Sequence, residues 1–362
     1  MRALGRLIAR AAAVFKKEPR TPSHLHIEPK RVLNSRYEIL EQIGSGQHST
    51  VWLAEESTSL QHTSEGRHQE DRLSPDGSSR GRLLHLYDHF LARGDHGDHL
   101  CLVSAALGPS VLDIRSRTRN GALSAPLVQH ITRQLLQGLE ILHEKCKTVH
   151  TDIKFDNILF ASYAEGPDVN TYCAVDSVLI DFGTAIPEGT DHNRLIQPEA
   201  LRPPEVLLGC TWDVKVDIWN VGCIIFELLT GQRLFKPRAG PSWSSEQYHM
   251  ARIYSTLLDD NDRRRLLEFF RHGAKFATFF DGDNLRVKAT ERESIQVILG
   301  HYGICTPELR ACSDPQLDSE TRLGVAVLSP VTVSNIIISG FVILCSTSPS
   351  LVVLAVDVEQ SD

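Results

Sequence analysis

The residues best suited to chemistry in this sequence fall in one run, Val149-His150-Thr151-Asp152-Ile153-Lys154-Phe155-Asp156-Asn157-Ile158-Leu159. An aspartate, a lysine two residues on and an asparagine five residues on suit phosphoryl transfer. Asp152 would accept the proton of an attacking hydroxyl, Lys154 would neutralise the moving phosphoryl group, and Asn157 would hold Mg²⁺. The competing reading is a solvated loop between helix and strand, where Asp and Asn are common for turn reasons. A second run, Gly44-Ser45-Gly46-Gln47-His48-Ser49-Thr50-Val51, stands between two strand-like stretches. Its glycines would let the backbone approach phosphates and aim N–H groups at them. Alone it is equally a tight hairpin turn. A third, Ser177-Val178-Leu179-Ile180 followed by Asp181-Phe182-Gly183, reads as a short strand delivering a metal-binding carboxylate to a turn.

Elements of two kinds must position these runs. Before about residue 107 the apolar stretches are short and alternate as strands do, at 37–43, 50–54, 83–90 and 100–104. Beyond it they lengthen and take a helical period, with Leu127, Ile131, Leu135, Leu139 and Leu142 at steps of three and four. The stretch 216–230 is apolar nearly all round, which predicts a helix buried inside a lobe. The pattern is that of an α+β chain with a small β-rich lobe at 35–107 and a larger helical lobe at 108–303. A basic extension, 1–34, precedes them and a divergent apolar tail, 304–362, follows.

Composition narrows the function classes. With 362 residues, 41% hydrophobic and 23% charged, the chain has the make-up of a folded soluble protein rather than a disordered or collagen-like one. A formal charge of −7 excludes a broadly basic nucleic-acid binder, so no direct nucleic-acid contact is expected. It suits a cationic partner such as an Arg-rich peptide. The eight cysteines stand singly, without a CxxC pair, and read as reduced thiols rather than a zinc site or disulfide framework. The sixteen histidines include no HExxH. Arg2, Arg6, Arg10, Lys16 and Lys17, with no acid before Glu18, give residues 1–17 the pattern of a mitochondrial presequence or of a plain basic extension. Residues 325–356 carry no charge. That length would permit a membrane anchor, but Pro330, Gly340 and the run 346–350 break it, and two strands joined by a turn fit equally well.

The three runs acquire a common meaning with Leu201-Arg202-Pro203-Pro204-Glu205-Val206 and a buried stretch holding Asp217-Ile218-Trp219 and Gly222. Their order and spacing match the signature set of protein kinases. The chain resembles eukaryotic protein kinases and, among them, the SR-protein kinases in their fungal-like form. That resemblance rests on Gly46-Gln47-His48-Ser49-Thr50-Val51-Trp52-Leu53-Ala54, His150-Thr151-Asp152-Ile153-Lys154, Ala200-Leu201-Arg202-Pro203-Pro204-Glu205, Glu227-Leu228-Leu229-Thr230-Gly231 and Phe279-Phe280-Asp281-Gly282-Asp283-Asn284-Leu285. It covers roughly residues 33–303. It implies a two-lobed fold and transfer of the γ-phosphate of ATP to serines of Arg/Ser-rich proteins, often splicing factors, with ATP and Mg²⁺ as cofactors. Asp152 would be the catalytic base, Lys154 the phosphoryl stabiliser, and Asn157 and Asp181 the Mg²⁺ ligands. Gly44, Ser45, Gly46 and Val51 would cover the nucleotide, and the backbone at Ala105 and Leu107 would meet adenine. A monomer of cytoplasm and nucleus is the implied state.

Three departures bear on activity. Thr151 stands where most kinases have an arginine that pairs with a phosphorylated activation loop, and from Asp181 to Glu205 the only hydroxyls are Thr184 and Thr190. A constitutive conformation is therefore expected. No lysine occurs between Lys30 and Lys145, and residues 55–80 hold little that is apolar beyond Leu60 and Leu73. The third strand, with its ATP-positioning lysine, and most of the next helix are thus expected to be missing. Arg67 and Arg72 lie nearby but present a bulky planar fork, a poor replacement for an ammonium. The tail offers no assignable arginine for Glu205, which should be an orphaned, partly buried carboxylate costing several kcal/mol. These features leave open an impaired kinase, a catalytically inactive scaffold for Arg-rich partners, or a misjoined gene product.

Overall fold

A computed structural model describes residues 27–45, 50–56, 79–94, 97–190, 194–257 and 266–288. The first strands form an antiparallel meander of β1 (Val32–Leu33), β2 (Tyr37–Ser45) and β3 (Thr50–Glu56). Its pairing shifts register between Ile39 and Glu41 and between Gln42 and Gly44, irregularities that bend a hairpin toward its tip. A second hairpin, β4 (Leu86–Gly94) and β5 (Gly97–Ser104), is a separate two-stranded sheet. The alternation read from the sequence sets which face is buried. Ile27, Leu33, Ile39 and Ala92 make a small core with Trp52, Phe90 and Cys101 packed against it.

Polar contacts clamp the two hairpins together. Tyr37 stacks on Phe90 with ring centroids 5.8 Å apart, and its hydroxyl donates to Asp88 Oδ2 at 2.9 Å. Burial first, then Asp88, push the Tyr37 phenol up to about 12, so it remains a donor at neutral pH. Arg36 bridges Asp88 and Glu56. The expectation that the third strand is missing falls on residues 57–78, which lie outside the described residues, as do Gly46, residues 1–26 and residues 289–362.

The helical lobe begins with α1 (Val111–Ser116), entered through a capping box in which Ser110 and Asp113 satisfy each other's backbone N–H. Next comes α2 (Ala125–Glu140), with Leu127, Ile131, Leu135 and Leu139 buried as their spacing predicts. A π turn, Ile141–Lys145, prolongs it. The remaining helices are α3 (Pro204–Leu208), α4 (Lys215–Thr230), α5 (Ser245–Leu257) and α6 (Phe276–Phe279). Helix α4 is buried on nearly every side, in one core with α2 and α5. The architecture is the expected α+β, β-rich before Ser104 and helical after Val111. No helix among the described residues is long and apolar enough to cross a membrane, and residues 325–356 lie outside them.

Two glycines let the halves meet. A β-carbon on Gly138 of α2 would stand 3.2 Å from the Arg82 carbonyl, so its absence lets the 3-10 turn Ser79–Arg82 lie against the helix. Arg82 then pairs with Asp176 at 2.7 Å, and Leu84 N–H donates to Leu179 O at 2.9 Å. At the other crossing Ala105–Leu107 run without regular structure into Gly108, whose N–H donates to Phe160 O at 2.8 Å. A β-carbon there would sit 2.4 Å from the backbone oxygen of Ser162. Gly108→Ala is expected to destabilise the chain by about 2 kcal/mol through overpacking against rigid backbone. Thermal unfolding measures it, and an unchanged midpoint would refute the close approach.

Candidate active site

Two small hairpins bring the distant runs together. In the first, β7 (Ile158–Phe160) pairs antiparallel with β8 (Ser177–Leu179), Ile158 opposite Leu179. Asn157 just precedes one strand and Asp181 closely follows the other, and Ile180 N–H donates to Asn157 O at 2.9 Å. In the second, β6 (Thr148–Val149) pairs with β9 (Ile186–Pro187), which sets residues 150–154 beside residues 181–185. Asp152, Lys154, Asn157 and Asp181, the four residues read as chemical from the sequence, are thereby gathered at one end of the helical lobe.

Their contacts suit the roles expected of them. Lys154 Nζ donates to Asp152 Oδ2 at 2.7 Å, and Asn157 Nδ2 donates to the same oxygen at 3.1 Å and to the Asp152 carbonyl at 2.8 Å. The Asn157 amide nitrogen is spent on Asp152, which turns its oxygen away from that carboxylate. Burial works against the charge of Lys154, but the Asp152 hydrogen bond, with Asp156 and Asp181 adding, raises its pKa above the ordinary value. The ammonium is thus present throughout the neutral range. Asp181 has φ of +63°, a left-handed backbone rare outside glycine, and its Oδ1 accepts from Gly183 N–H at 3.3 Å.

The loop is held from beneath by residues whose roles the sequence did not disclose. Asp217, in the first turn of α4, is fully buried. Its carboxylate accepts from His150 N–H at 2.8 Å, Thr151 N–H at 2.9 Å and His143 Nε2 at 2.8 Å. His150 is also fully buried, with Nε2 2.9 Å from Ile180 O, while its Nδ1 accepts from Asp152 N–H at 3.3 Å. That pattern places the ring proton on Nε2. His150 therefore joins the base loop to the strand end that carries Asp181, and its ring meets Phe182 edge-on at 5.2 Å. The signal in the sequence was an aspartate in the first turn of an otherwise apolar helix, since a buried carboxylate must find donors.

Thr151, at φ +68°, donates from Oγ1 to Thr184 O at 2.8 Å, and Thr184 Oγ1 donates back to His150 O at 3.4 Å. A neutral hydroxyl clasp stands where an arginine would have awaited a phosphate. Among the described residues no group of three or more His, Cys, Asp or Glu is placed to hold a metal. Asn157 and Asp181 offer two oxygen donors, a set that fits Mg²⁺ when phosphate oxygens and water fill its remaining positions. Gly44, Ser45 and Val51 lie at the tip of the β2–β3 hairpin, where Val51 is half exposed. Ala105 and Leu107 lie in the connection between the lobes. Glu205 is more deeply placed than the sequence suggested: it is fully buried, and neither carboxylate oxygen has a hydrogen-bond partner among the described residues.

Comparison with known proteins gives the family. The protein kinase domain model matches residues 79–302, more than half of the chain, and starts after the glycine-containing hairpin. The serine/threonine-protein kinase SRPK of Physarum polycephalum is 28% identical over 312 residues, covering 69% of this chain and 72% of that one. The probable serine/threonine-protein kinase clkA of Dictyostelium discoideum is 33% identical, covering 56% of this chain but 26% of its own length. The serine/threonine-protein kinase AFC3 of Arabidopsis thaliana is 34% identical over 46% of this chain and 43% of its own. The chain belongs to the protein kinase family, and the kind of kinase it is most like is the SR-protein kinase.

Proposed function

We propose that this chain is a serine/threonine protein kinase of the SR-protein kinase type whose turnover is impaired. The observation that carries the reading is the Asp152 carboxylate held by Lys154 at 2.7 Å and by Asn157 at 3.1 Å, beside Asp181. Asp152 accepts the proton of a substrate hydroxyl, Lys154 offsets negative charge on the phosphoryl group in transfer, and Asn157 and Asp181 hold Mg²⁺. Mg²⁺·ATP, when bound, supplies the γ-phosphate. Gly44, Ser45, Gly46 and Val51 cover the nucleotide and the 105–107 backbone meets its base. Serines in Arg/Ser-rich proteins such as splicing factors are the substrates by kinship, and the charge of −7 suits such cationic chains. The lobes are assigned to 35–107 and 108–303, and the protein to cytoplasm and nucleus as a monomer.

Impairment follows from the small lobe. No lysine occurs from 35 to 107, Lys30 lying ahead of the lobe in the turn before β1, and Arg82 is engaged with Asp176 and Gln137. Loss of one phosphate-positioning cation costs about 3 kcal/mol of transition-state stabilisation, roughly a hundredfold in rate. The same observation favours a second reading, an inactive scaffold that binds Arg-rich partners through the helical lobe.

Thermal unfolding with ATP, with and without Mg²⁺, beside an Asp181→Ala control separates the readings. A bound ligand raises stability by mass action, about 2.7 kcal/mol at a hundred times its dissociation constant. A Mg²⁺-dependent rise lost in Asp181→Ala, with slow phosphorylation of an Arg/Ser peptide abolished by Asp152→Ala, is the expected outcome. No shift in a cooperatively melting sample would leave the scaffold.

A further inference from the structure

The turn that ends α1 carries a pattern with no part in the chemistry so far. Residues 115–119 read Arg-Ser-Arg-Thr-Arg, the longest strict alternation of arginine with hydroxyl residues in the sequence. No residue from 115 to 121 is hydrophobic, and the core resumes at Leu123. Ser116 is the last residue of α1, and it is exposed together with Arg117 and Arg119. Its hydroxyl donates to Asp113 O at 2.7 Å. The backbone just beyond closes through Arg117 N–H to Ile114 O at 3.2 Å and Thr118 N–H to Arg115 O at 3.1 Å. A last helical turn of this kind frays readily.

Arg115 turns inward instead. Its Nη1 donates to Glu227 Oε1 on α4 at 2.7 Å and its Nε to Gly121 O at 3.2 Å. The guanidinium lies over the Phe155 ring, 4.4 Å from the centroid. Phe155 directly follows Lys154 and opens the turn that ends at Asn157. One arginine thus fastens α1 and α4 to the catalytic loop.

We propose that Ser116 is a phosphorylation site for an Arg/Ser-directed kinase, and that its phosphate releases the Arg115 fastening of the catalytic loop. The inference rests on the Arg/Ser-directed reading above, with this chain's own segment as the substrate. Three arginines within five residues make a cationic island on a chain of charge −7, so a second copy of the chain is attracted to it. Ser116 Oγ attacks the γ-phosphorus of ATP held by the acting kinase, and its proton passes to that kinase's base, Asp152 in a second copy. The bond from the γ-phosphorus to the bridging oxygen breaks, and its electron pair leaves on ADP. Phosphorylation removes the donor to Asp113 O and sets up to about two negative charges at the C-terminal end of α1, where the helix dipole opposes them. As the turn unwinds, Arg115 and Arg117 fork onto the phosphate oxygens. Arg115 cannot do so while it holds Glu227 and covers Phe155.

Mass spectrometry of the full chain tests the site, after incubation with Mg²⁺·ATP alone or with an active Arg/Ser-directed kinase added. A free Arg/Ser peptide in each tube reports turnover. Phosphate is expected on Ser116, lost in Ser116→Ala and kept in Thr118→Val. Its appearance in the chain alone makes a second copy the source; its appearance only with the added kinase makes that enzyme the source, and either upholds the site. A chain that alone modifies neither itself nor the peptide would sink the kinase reading, while Ser116 phosphate from the added kinase would still uphold the site. Phosphorylated peptide beside unmodified Ser116 in the added-kinase tube would overturn the proposal. Hydrogen–deuterium exchange reads the consequence. Amides at 155–157 should exchange about tenfold faster in the phosphorylated protein, as in Arg115→Lys, with α4 amides unchanged. Exchange at 155–157 unaltered by the phosphate would overturn the proposal equally.

Discussion

Asp217→Ala should be the most damaging single change in the helical lobe. The carboxylate of Asp217 accepts from the His150 and Thr151 backbone N–H groups, which have no other acceptor among the described residues, and also from His143 Nε2. All three donors are buried. Each donor left unsatisfied costs about 1–3 kcal/mol, and because the three share one acceptor the losses do not simply add, so a total of about 4 kcal/mol is expected. Asp217→Asn keeps the shape and one acceptor but turns an amide N–H₂ toward donors, and should cost about 2 kcal/mol. Chemical denaturation gives the totals. Exchange of the amides at 150 and 151 locates them, since a loss spread evenly over the lobe would contradict a local anchor. A second consequence is functional. Thr151 sits at a positive φ directly before Asp152, and its clasp to Thr184 needs that geometry. Without Asp217 the base loop loses its alignment to the strand end carrying Asp181, so both variants should weaken Mg²⁺-dependent nucleotide binding more than their stability loss alone requires.

The residues that carry the proposed chemistry were legible because their types are rare in combination and their flanks are strongly patterned. Leu127, Ile131, Leu135 and Leu139 fixed the helix before the loop, and Ser177–Leu179 fixed the strand before Asp181. The strands of the small lobe were legible for the same reason, apart from their ends. The third stretch was read from residue 83 but the strand starts at Leu86, because Leu83 and Leu84 are drawn instead to Leu179. That is a tertiary contact, and local alternation carries no information about it. His150 was hidden for another reason. A histidine between a valine and a threonine has no distinguishing neighbours, and the contacts of its two ring nitrogens, with Ile180 O and Asp152 N–H, arise only when two hairpins meet. Sequence patterns report which face of an element is buried. They do not report which buried polar group finds which partner, and that pairing decides the geometry here.

The clasp between Thr151 and Thr184 shows how little is needed to replace a regulated contact. An arginine at that position has a charge to satisfy and holds the segment only once a phosphate arrives. Thr151 offers one hydroxyl, satisfied at 2.8 Å by a main-chain carbonyl that is always present. The contact is neutral on both sides, so neither phosphorylation nor salt has a direct purchase on it. This is the kind of contact that the expected constitutive conformation calls for, and it does not depend on whether the small lobe can position a nucleotide.

Glu205→Gln should make the protein more stable, and increasingly so as the pH rises. Glu205 lies in the first turn of α3 within the core, no other described residue donates to its carboxyl oxygens, and desolvation pushes its pKa from 4.5 up to about 8 against the opposing pull of its own backbone N–H. Lys215 lowers it slightly, but that ammonium is committed to Asp213 at 3.1 Å, and Asp213 itself acts in the opposite direction. The folded chain thus retains a proton that the unfolded chain releases. With the folded pKa above the unfolded one, this proton's contribution is fully present below pH 4.5 and is lost as the pH rises toward 8. The slope is about 1.4 kcal/mol per pH unit, so roughly 3 kcal/mol has gone by pH 7 and about 5 kcal/mol by pH 8. Glutamine has nearly the same shape and does not titrate. At pH 5 the two proteins should therefore unfold within about 1 kcal/mol of each other, while at pH 8.5 the variant should lead by about 4 kcal/mol. Cys210, pushed up to about 12 by burial and then by Glu205, and His249, lowered to about 3 chiefly by burial, keep one protonation state across this window and leave the difference intact. Equal pH profiles for the two proteins would mean that Glu205 has a cationic partner after all, supplied from outside the described residues. A widening gap would mean that a buried carboxyl without a partner limits this chain's stability at neutral pH, before any question of catalysis arises.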